Sequence, residues 1–397
     1  MSLLASIKKL SEDYFKETQE NRRHLHANPE LSYKEINTAK FVSKELAAYG
    51  IEAKEGVAET GVVAHIEGKN PTKKVVALRA DMDALPILEA NEVEYKSTVP
   101  GVMHACGHDV HTASLLTTSR LLQEINDQFE GTVKLIFQPG EEKNPGGASL
   151  MIKDGALENP KPLSILGQHV MPLIPVGKIG FREGMYMASC DEIYLTVIGK
   201  GGHGAAPDLA IDPILIASHI IIALQQVISR NANPKQPTVL TFGKISGEGA
   251  TNIIPNEVRI AGTFRAMDEK WRASALEKIR KMAENIAEGM GGKCMVEISN
   301  GYPYLENNPA LTKRIRAAAE QYVGKENIVD LDITLGAEDF SYYSQLIPAS
   351  FYRLGTRNEA KGITSYVHTP TFDIDEDALK LSPGLMAWMA IQELGNQ

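Results

Sequence analysis

The succession of two secondary-structure patterns constrains this chain more than any single motif. Short β-rich runs at residues 61–66, 75–79, 132–137, 164–166 and 178–181 alternate with helical stretches, among them a buried-helix spacing at 112–125. Such alternation implies an α/β layer architecture: a central, mostly parallel sheet flanked by helices. Near Cys190 the pattern changes. A strand at 193–198, an apolar helix at 212–230, strands at 238–246 and 257–265, an amphipathic helix at 271–290 and a strand at 293–298 follow in turn. That βαββαβ order is the signature of a smaller α+β sandwich of ferredoxin-like type. From about residue 300 the first pattern resumes. At the amino end, helix is expected to about Asn28, where Pro29 stops it, and again over 33–49, where Gly50 ends it.

Bulk properties bound the function classes. A chain of 397 residues is too long for one ordinary core, so two domains are expected. Forty-one Lys and Arg against fifty Asp and Glu leave a net charge of −9, which disfavours general binding to nucleic acid or to anionic membranes. The three cysteines, Cys106, Cys190 and Cys294, are too few and too scattered for a disulfide framework, as in a reducing compartment. The first residues carry no apolar core of a signal peptide, and the most apolar segment, 213–224, is interrupted by Ser218 and His219. A soluble cytoplasmic protein is the expectation.

Chemistry concentrates at His104-Ala105-Cys106-Gly107-His108-Asp109-Val110-His111. A thiolate and an imidazole two residues apart project to the same side and can converge on one cation. Further along, Gln138-Pro139-Gly140-Glu141-Glu142, Gly167-Gln168-His169 and Val367-His368-Thr369 each follow an apolar run. In open α/β sheets, sites form beyond the carboxyl ends of strands.

Each motif has a bland alternative. Adjacent glutamates are mostly a solvated pair, a lone histidine at a strand end is mostly a satisfied core residue, and a free cysteine is mostly a small buried hydrophobe. Their joint occurrence argues for one site. Glu141 and Glu142 point different ways, so one can bind metal while the other serves as general base, and spacing alone leaves the order open. His104 and His111 are expected as supporting or surface groups. If His368 joins the upstream residues, the segment 188–299 is an insertion into a discontinuous domain over 1–187 and 300–397. In the inserted unit, Gly199-Lys200-Gly201-Gly202-His203-Gly204 lacks the lysine-serine pair of a nucleotide loop and instead presents His203 with little shielding.

These residues, in this order, together with residues 23–31 and Leu78-Arg79-Ala80-Asp81-Met82-Asp83-Ala84-Leu85-Pro86, resemble the co-catalytic metallopeptidase family of aminoacylase, glutamate carboxypeptidase, hippurate hydrolase and plant auxin-conjugate hydrolases. The resemblance is to the amidohydrolase subgroup with cysteine at the bridging position. It implies two divalent metal ions per subunit, zinc or manganese first, nickel or cobalt also admissible. Their ligands would be a shared Cys106 with His108, Glu142, His169 and His368. Glu141 would be the general base and then the proton donor, and Asp81 would orient a ligand.

The inserted unit would be a lid and dimerisation domain. His203 would enter the partner subunit's site to stabilise the oxyanion, with Asn252 and Arg265 on the substrate carboxylate. Where the peptidase branch has histidine before the conserved aspartate this chain has Arg79, and His108 stands in. The implied activity is amide hydrolysis of N-acyl-L-amino acids in a homodimer. The same machinery would serve a dipeptidase or carboxypeptidase, and a catalytically silent metal-binding protein is the non-enzymatic rival.

Overall fold

The structure is a computed structural model and describes residues 2–395. The chain divides into two units. One comprises the chain up to Tyr186, Glu306–Ile333 and the segment from Asp339 onward; the other comprises Met187–Leu305 and Thr334–Glu338.

The first unit is built on an eight-stranded sheet. Its strands are β1 (Ala53–Val57), β2 (Gly61–Glu67), β3 (Val75–Asp81), β4 (Thr132–Gln138), β5 (Ser164–Pro175), β6 (Ile179–Phe181), Ile328–Asp330 and Ala349–Arg357. They lie in the order β1, β2, β4, β3, β5, Ala349–Arg357, β6, Ile328–Asp330. The central four, β4, β3, β5 and Ala349–Arg357, are parallel, while β1 and β2 join one side antiparallel. Every residue of β3 and β4 is buried, as expected where helices cover a parallel sheet on both faces. The β3–β4 register sets Asp81 opposite Gln138, so polar side chains gather at the carboxyl ends.

Helices α1 (Leu3–Asp13), α2 (Phe15–Ala27), α3 (Ile36–Ala48) and α4 (His108–Glu124) accompany this sheet. The amino-terminal helix expected from the sequence is two helices, divided at Tyr14, whose ring carries the Arg120 guanidinium of α4 at 4.0 Å. The helix expected from residue 33 starts at Ile36, because Tyr33 adopts φ +64° and is outside helical space. Almost all of α4 is buried; it packs against α2, β3 and the long helix Ala378–Gly395.

In the second unit, strands Thr238–Ser246, Glu257–Ala266, Asp191–Ile198 and Lys293–Asn300 form one sheet in that order, each antiparallel to its neighbour. Along Asp191–Ile198, burial alternates and sends Ile193, Leu195 and Val197 into the core. Helices Pro213–Gln226 and Glu269–Gly289 pack on each other and on this sheet. Asp212 and Asp268 cap them, each side chain accepting backbone N–H groups of the first turn. The apolar helix expected to reach Arg230 gives way to a π-turn at Val227–Asn231. The βαββαβ order and the half-open sandwich are those the sequence implied. By length and composition, Pro213–Asn231 is apolar enough to cross a membrane, yet a third of that window is packed inside the unit.

Candidate functional site

Cys106 sits in the loop before α4, and α4 opens with His108. Gly107 between them has φ +84°, and a Cβ there would come within 2.5 Å of the Val170 side chain, so only glycine fits. The imidazole of His108 is fully buried. Its Nδ1 is 2.9 Å from the Asp83 carbonyl oxygen and 3.2 Å from Asp83 Oδ1, which fixes the proton on that nitrogen. His108 Nε2 is buried and makes no hydrogen bond among the described residues.

His169 repeats the arrangement. Its Nδ1 donates to the Val170 carbonyl at 2.7 Å, and its Nε2 lies 3.4 Å from Cys106 Sγ. His169 was expected past the end of its strand; it lies inside β5, which runs on beyond the last β3 pairing at Arg79–Gly167.

His368 approaches from the carboxyl-terminal segment. Its Nε2 is 3.3 Å from Cys106 Sγ and 3.1 Å from Glu142 Oε1. Its backbone has φ +62°, an uncommon conformation for a residue with a side chain, anchored by the His368 N–H donating to the Ala105 carbonyl at 2.7 Å. The donor atoms of Cys106, His108 and His169 lie within 4.8 Å of one another, as do those of Cys106, Glu142 and His368. Cys106 is common to both groups.

Two ligands of one tetrahedral zinc, with Zn–S about 2.3 Å and Zn–N about 2.0 Å, are roughly 3.5 Å apart. The sulfur–nitrogen separations of 3.3 and 3.4 Å match this, and the imidazole tautomers leave Nε2 as the donor in both buried histidines. This donor set fits a cation pair.

The local field makes the same point. Burial pushes the Cys106 thiol well above its usual range, and the carboxylates of Glu142, Glu141 and Asp81 push it further. Burial alone would lower the His108 pKa, but Asp81, Asp83 and Glu142 raise it to about 10. His169 is driven well below its ordinary value by burial and by the Arg353 charge. An excess of negative charge thus surrounds a thiol that needs a cation to ionise.

Glu141 is buried beside Glu142, and its Oε1 accepts the Asp339 N–H at 3.4 Å. Asp81 accepts from Arg79 and, at 2.5 Å, from His111 Nδ1; His108 Nε2 is 3.8 Å away. His111 and His104 are both buried, so the surface alternative is excluded for each. His111 cannot be a ligand as placed, because its Nε2 accepts the Val170 N–H at 2.9 Å. It links Asp81 to the strand that carries His169.

Three groups went unrecognised in the sequence: Asp83, Glu35 and Asp339. Asp83 had a signal, since it repeats Asp81 at a two-residue interval; the other two had none.

In the second unit, His203 is exposed on a two-stranded ribbon, paired with Ile253. Its Nδ1 accepts the Ala205 N–H at 3.0 Å, which leaves Nε2–H as a free donor. Asn252 is adjacent, its carbonyl accepting the Gly204 N–H at 2.8 Å. Arg265 lies on strand Glu257–Ala266, and its guanidinium makes no hydrogen bond or ion pair among the described residues.

Fold and donor set define a metallohydrolase, and sequence comparison agrees. The profile of peptidase family M20/M25/M40 matches residues 77–388. The chain is 42% identical to thermostable carboxypeptidase 2 of Saccharolobus solfataricus, over 94% of each chain. It is 41% identical to N-acetyl-L-cysteine deacetylase of Bacillus subtilis, over 90% of this chain and 83% of that one. The crystal structure of the Bacillus subtilis YXEP protein, a dinuclear metal-binding peptidase of the M20 family, superposes with a TM-score of 0.84 at 33% identity, covering 97% and 99% of the two chains. The chain belongs to peptidase family M20/M25/M40 and is an enzyme of its peptidase and amidohydrolase class.

Proposed function

We propose that the protein hydrolyses N-acyl-L-amino acids to a carboxylic acid and a free amino acid, using two divalent cations. The observation that carries this reading is the convergence of Cys106, His108, Glu142, His169 and His368, with Glu141 beside them. Thiolate and imidazole donors favour zinc, with manganese as the alternative. When bound, the metals would supply Lewis acidity toward the amide carbonyl and the attacking water.

The chain's own residues would do the rest. Glu141 would take the proton of the attacking water and deliver it to the leaving nitrogen. Asp81, through His111, would hold β5 and thereby His169 in register. His203, from a second copy of the chain, would donate from Nε2 to the tetrahedral oxyanion, a contribution of about 3 kcal/mol. Asn252 and the uncommitted Arg265 guanidinium would take the substrate carboxylate.

A homodimer is supported by the second unit's surface. Ile214, Leu215 and Ile222 on helix Pro213–Gln226 are exposed, and Thr238–Ser246 is an edge strand with open backbone groups. A cytoplasmic location accords with the unpaired cysteines.

The relative named a deacetylase of an N-acetyl amino acid favours this substrate class, whereas the relative named a carboxypeptidase favours peptide-bond cleavage. A panel of acetyl- and benzoyl-amino acids beside dipeptides and acyl dipeptides, run on chelated protein restored with zinc or manganese, separates them. Turnover confined to peptides would replace the proposal by the peptidase reading. Metal binding without turnover of any N-acyl amino acid or peptide would refute the proposed substrate class.

A further inference from the structure

The loop that carries Glu141 and Glu142 is gripped by two carboxylates that the proposed reaction does not consume. Gly140, Glu141 and Glu142 offer three successive backbone N–H groups. Gly140 donates to Glu35 Oε1 at 2.8 Å, Glu141 to Asp83 Oδ1 at 3.0 Å and Glu142 to Asp83 Oδ2 at 3.0 Å. Successive amides that turn around an acceptor make the kind of concavity that binds anions. Here the protein's own side chains fill it, and both are almost wholly excluded from solvent.

Gly140 has φ +60° and packs so closely on the Tyr33 ring that a Cβ would sit 2.3 Å from it. Both carboxylates accept further hydrogen bonds. Glu35 accepts the Tyr33 N–H at 2.9 Å and the Thr60 hydroxyl at 2.8 Å. Asp83 accepts the Ser32 hydroxyl at 2.7 Å and His108 Nδ1–H at 3.2 Å.

We propose that Asp83 and Glu35 are positioning residues that lock base and ligands into one rigid group. The proposal rests on reading Glu141 as the base and His108 and Glu142 as ligands. Asp83 is the joint, because one carboxylate receives an N–H from each of these three residues. A base displaced by an ångström loses most of its effect, so rigid support of this kind acts on kcat.

The two carboxylates respond differently to amide replacement, and that difference is the test. In Asp83→Asn, either orientation of the amide turns its NH2 toward a backbone N–H, of Glu141 or of Glu142, and a backbone donor cannot reverse. In Glu35→Gln, the carbonyl keeps both amides while the NH2 donates to the Thr60 hydroxyl, which can accept. Asp83→Asn is expected to lower kcat and zinc affinity by about 10–100-fold with KM little changed. Glu35→Ala should move both in the same direction, and Glu35→Gln should restore them.

Zinc alone, titrated calorimetrically into metal-free protein, reads the affinity without any substrate. Should the wild type hydrolyse no N-acyl amino acid, the proposed function fails while the zinc titration still decides the clamp. Melting of the metal-free variants is followed in parallel. A fall in Tm with unchanged zinc affinity and unchanged kcat would mark a purely structural role and overturn the proposal. So would equal behaviour of Glu35→Gln and Glu35→Ala. If Asp83→Asn does not fold, the Glu35 pair alone decides.

Discussion

Arg79→Met removes the guanidinium at the carboxyl end of β3. Arg79 donates to Asp81, to Asp339 Oδ1 at 2.7 Å and to Gln138 Oε1 at 2.9 Å, and all three charged side chains are shielded from solvent. Methionine approximates the volume and supplies no donor. Asp339 keeps Gln138 Nε2 at 2.8 and 2.9 Å and the Ala148 N–H at 2.9 Å, and Asp81 keeps His111, but the permanent positive charge between them is gone.

Breaking one side of a buried ion pair costs about 3–5 kcal/mol. At about 2–4 °C per kcal/mol for large domains, the metal-free protein should melt about 12 °C lower by calorimetry. The pH dependence has a definite sign. Burial by itself raises the Asp81 pKa, but Arg79, then His108 and His111, hold it well below the usual carboxylate range. Its ionisation therefore contributes stability that is present above the unfolded pKa of about 4 and is lost as pH falls through the folded value.

Without Arg79 the folded pKa is expected to rise above the unfolded one, and the contribution turns unfavourable as pH increases. The variant should be closest to wild type below about pH 4, with the gap widening toward pH 7. A Tm difference that does not change with pH, or one under about 3 °C at neutrality, would refute the argument.

Three further outcomes are expected. Glu141→Gln should lose turnover by at least about 10²-fold while metal content, measured by atomic emission, stays at the wild-type level. His203→Ala should lower kcat about 10²–10³-fold with little change in KM in steady-state assays, and an unchanged kcat would remove it from the oxyanion role. Ile222→Glu, at a side chain 73% exposed on the apolar helix, should shift the proposed dimer to monomer in sedimentation velocity; an unaltered sedimentation coefficient would overturn this helix as a dimer interface.

Much of the architecture was legible because its signals are local. The strand over 193–198 and the apolar runs of β3 and β4 each declare themselves within ten residues. Strand Ala349–Arg357 did not, since Ser350, Arg353 and Thr356 interrupt its apolar run although all three are buried. The break at Tyr14 and the late start of α3 were equally silent; the groups packed on them, Arg120 over the Tyr14 ring and Gly140 against Tyr33, come from elsewhere in the chain.

The sequence by itself determined which side chains are chemically able to hold a cation. Tertiary structure alone decided how they are supported. Arg79 meets Asp339 across 260 positions of chain, and Glu35 reaches Gly140 across 105. Which histidines remain available was also settled there: His111 has both nitrogens engaged, whereas His108 has one held and one open. Backbone and side-chain hydrogen bonds closed over such separations leave no periodicity in the chain, since only the folded register of β3, β4 and β5 brings the partners together.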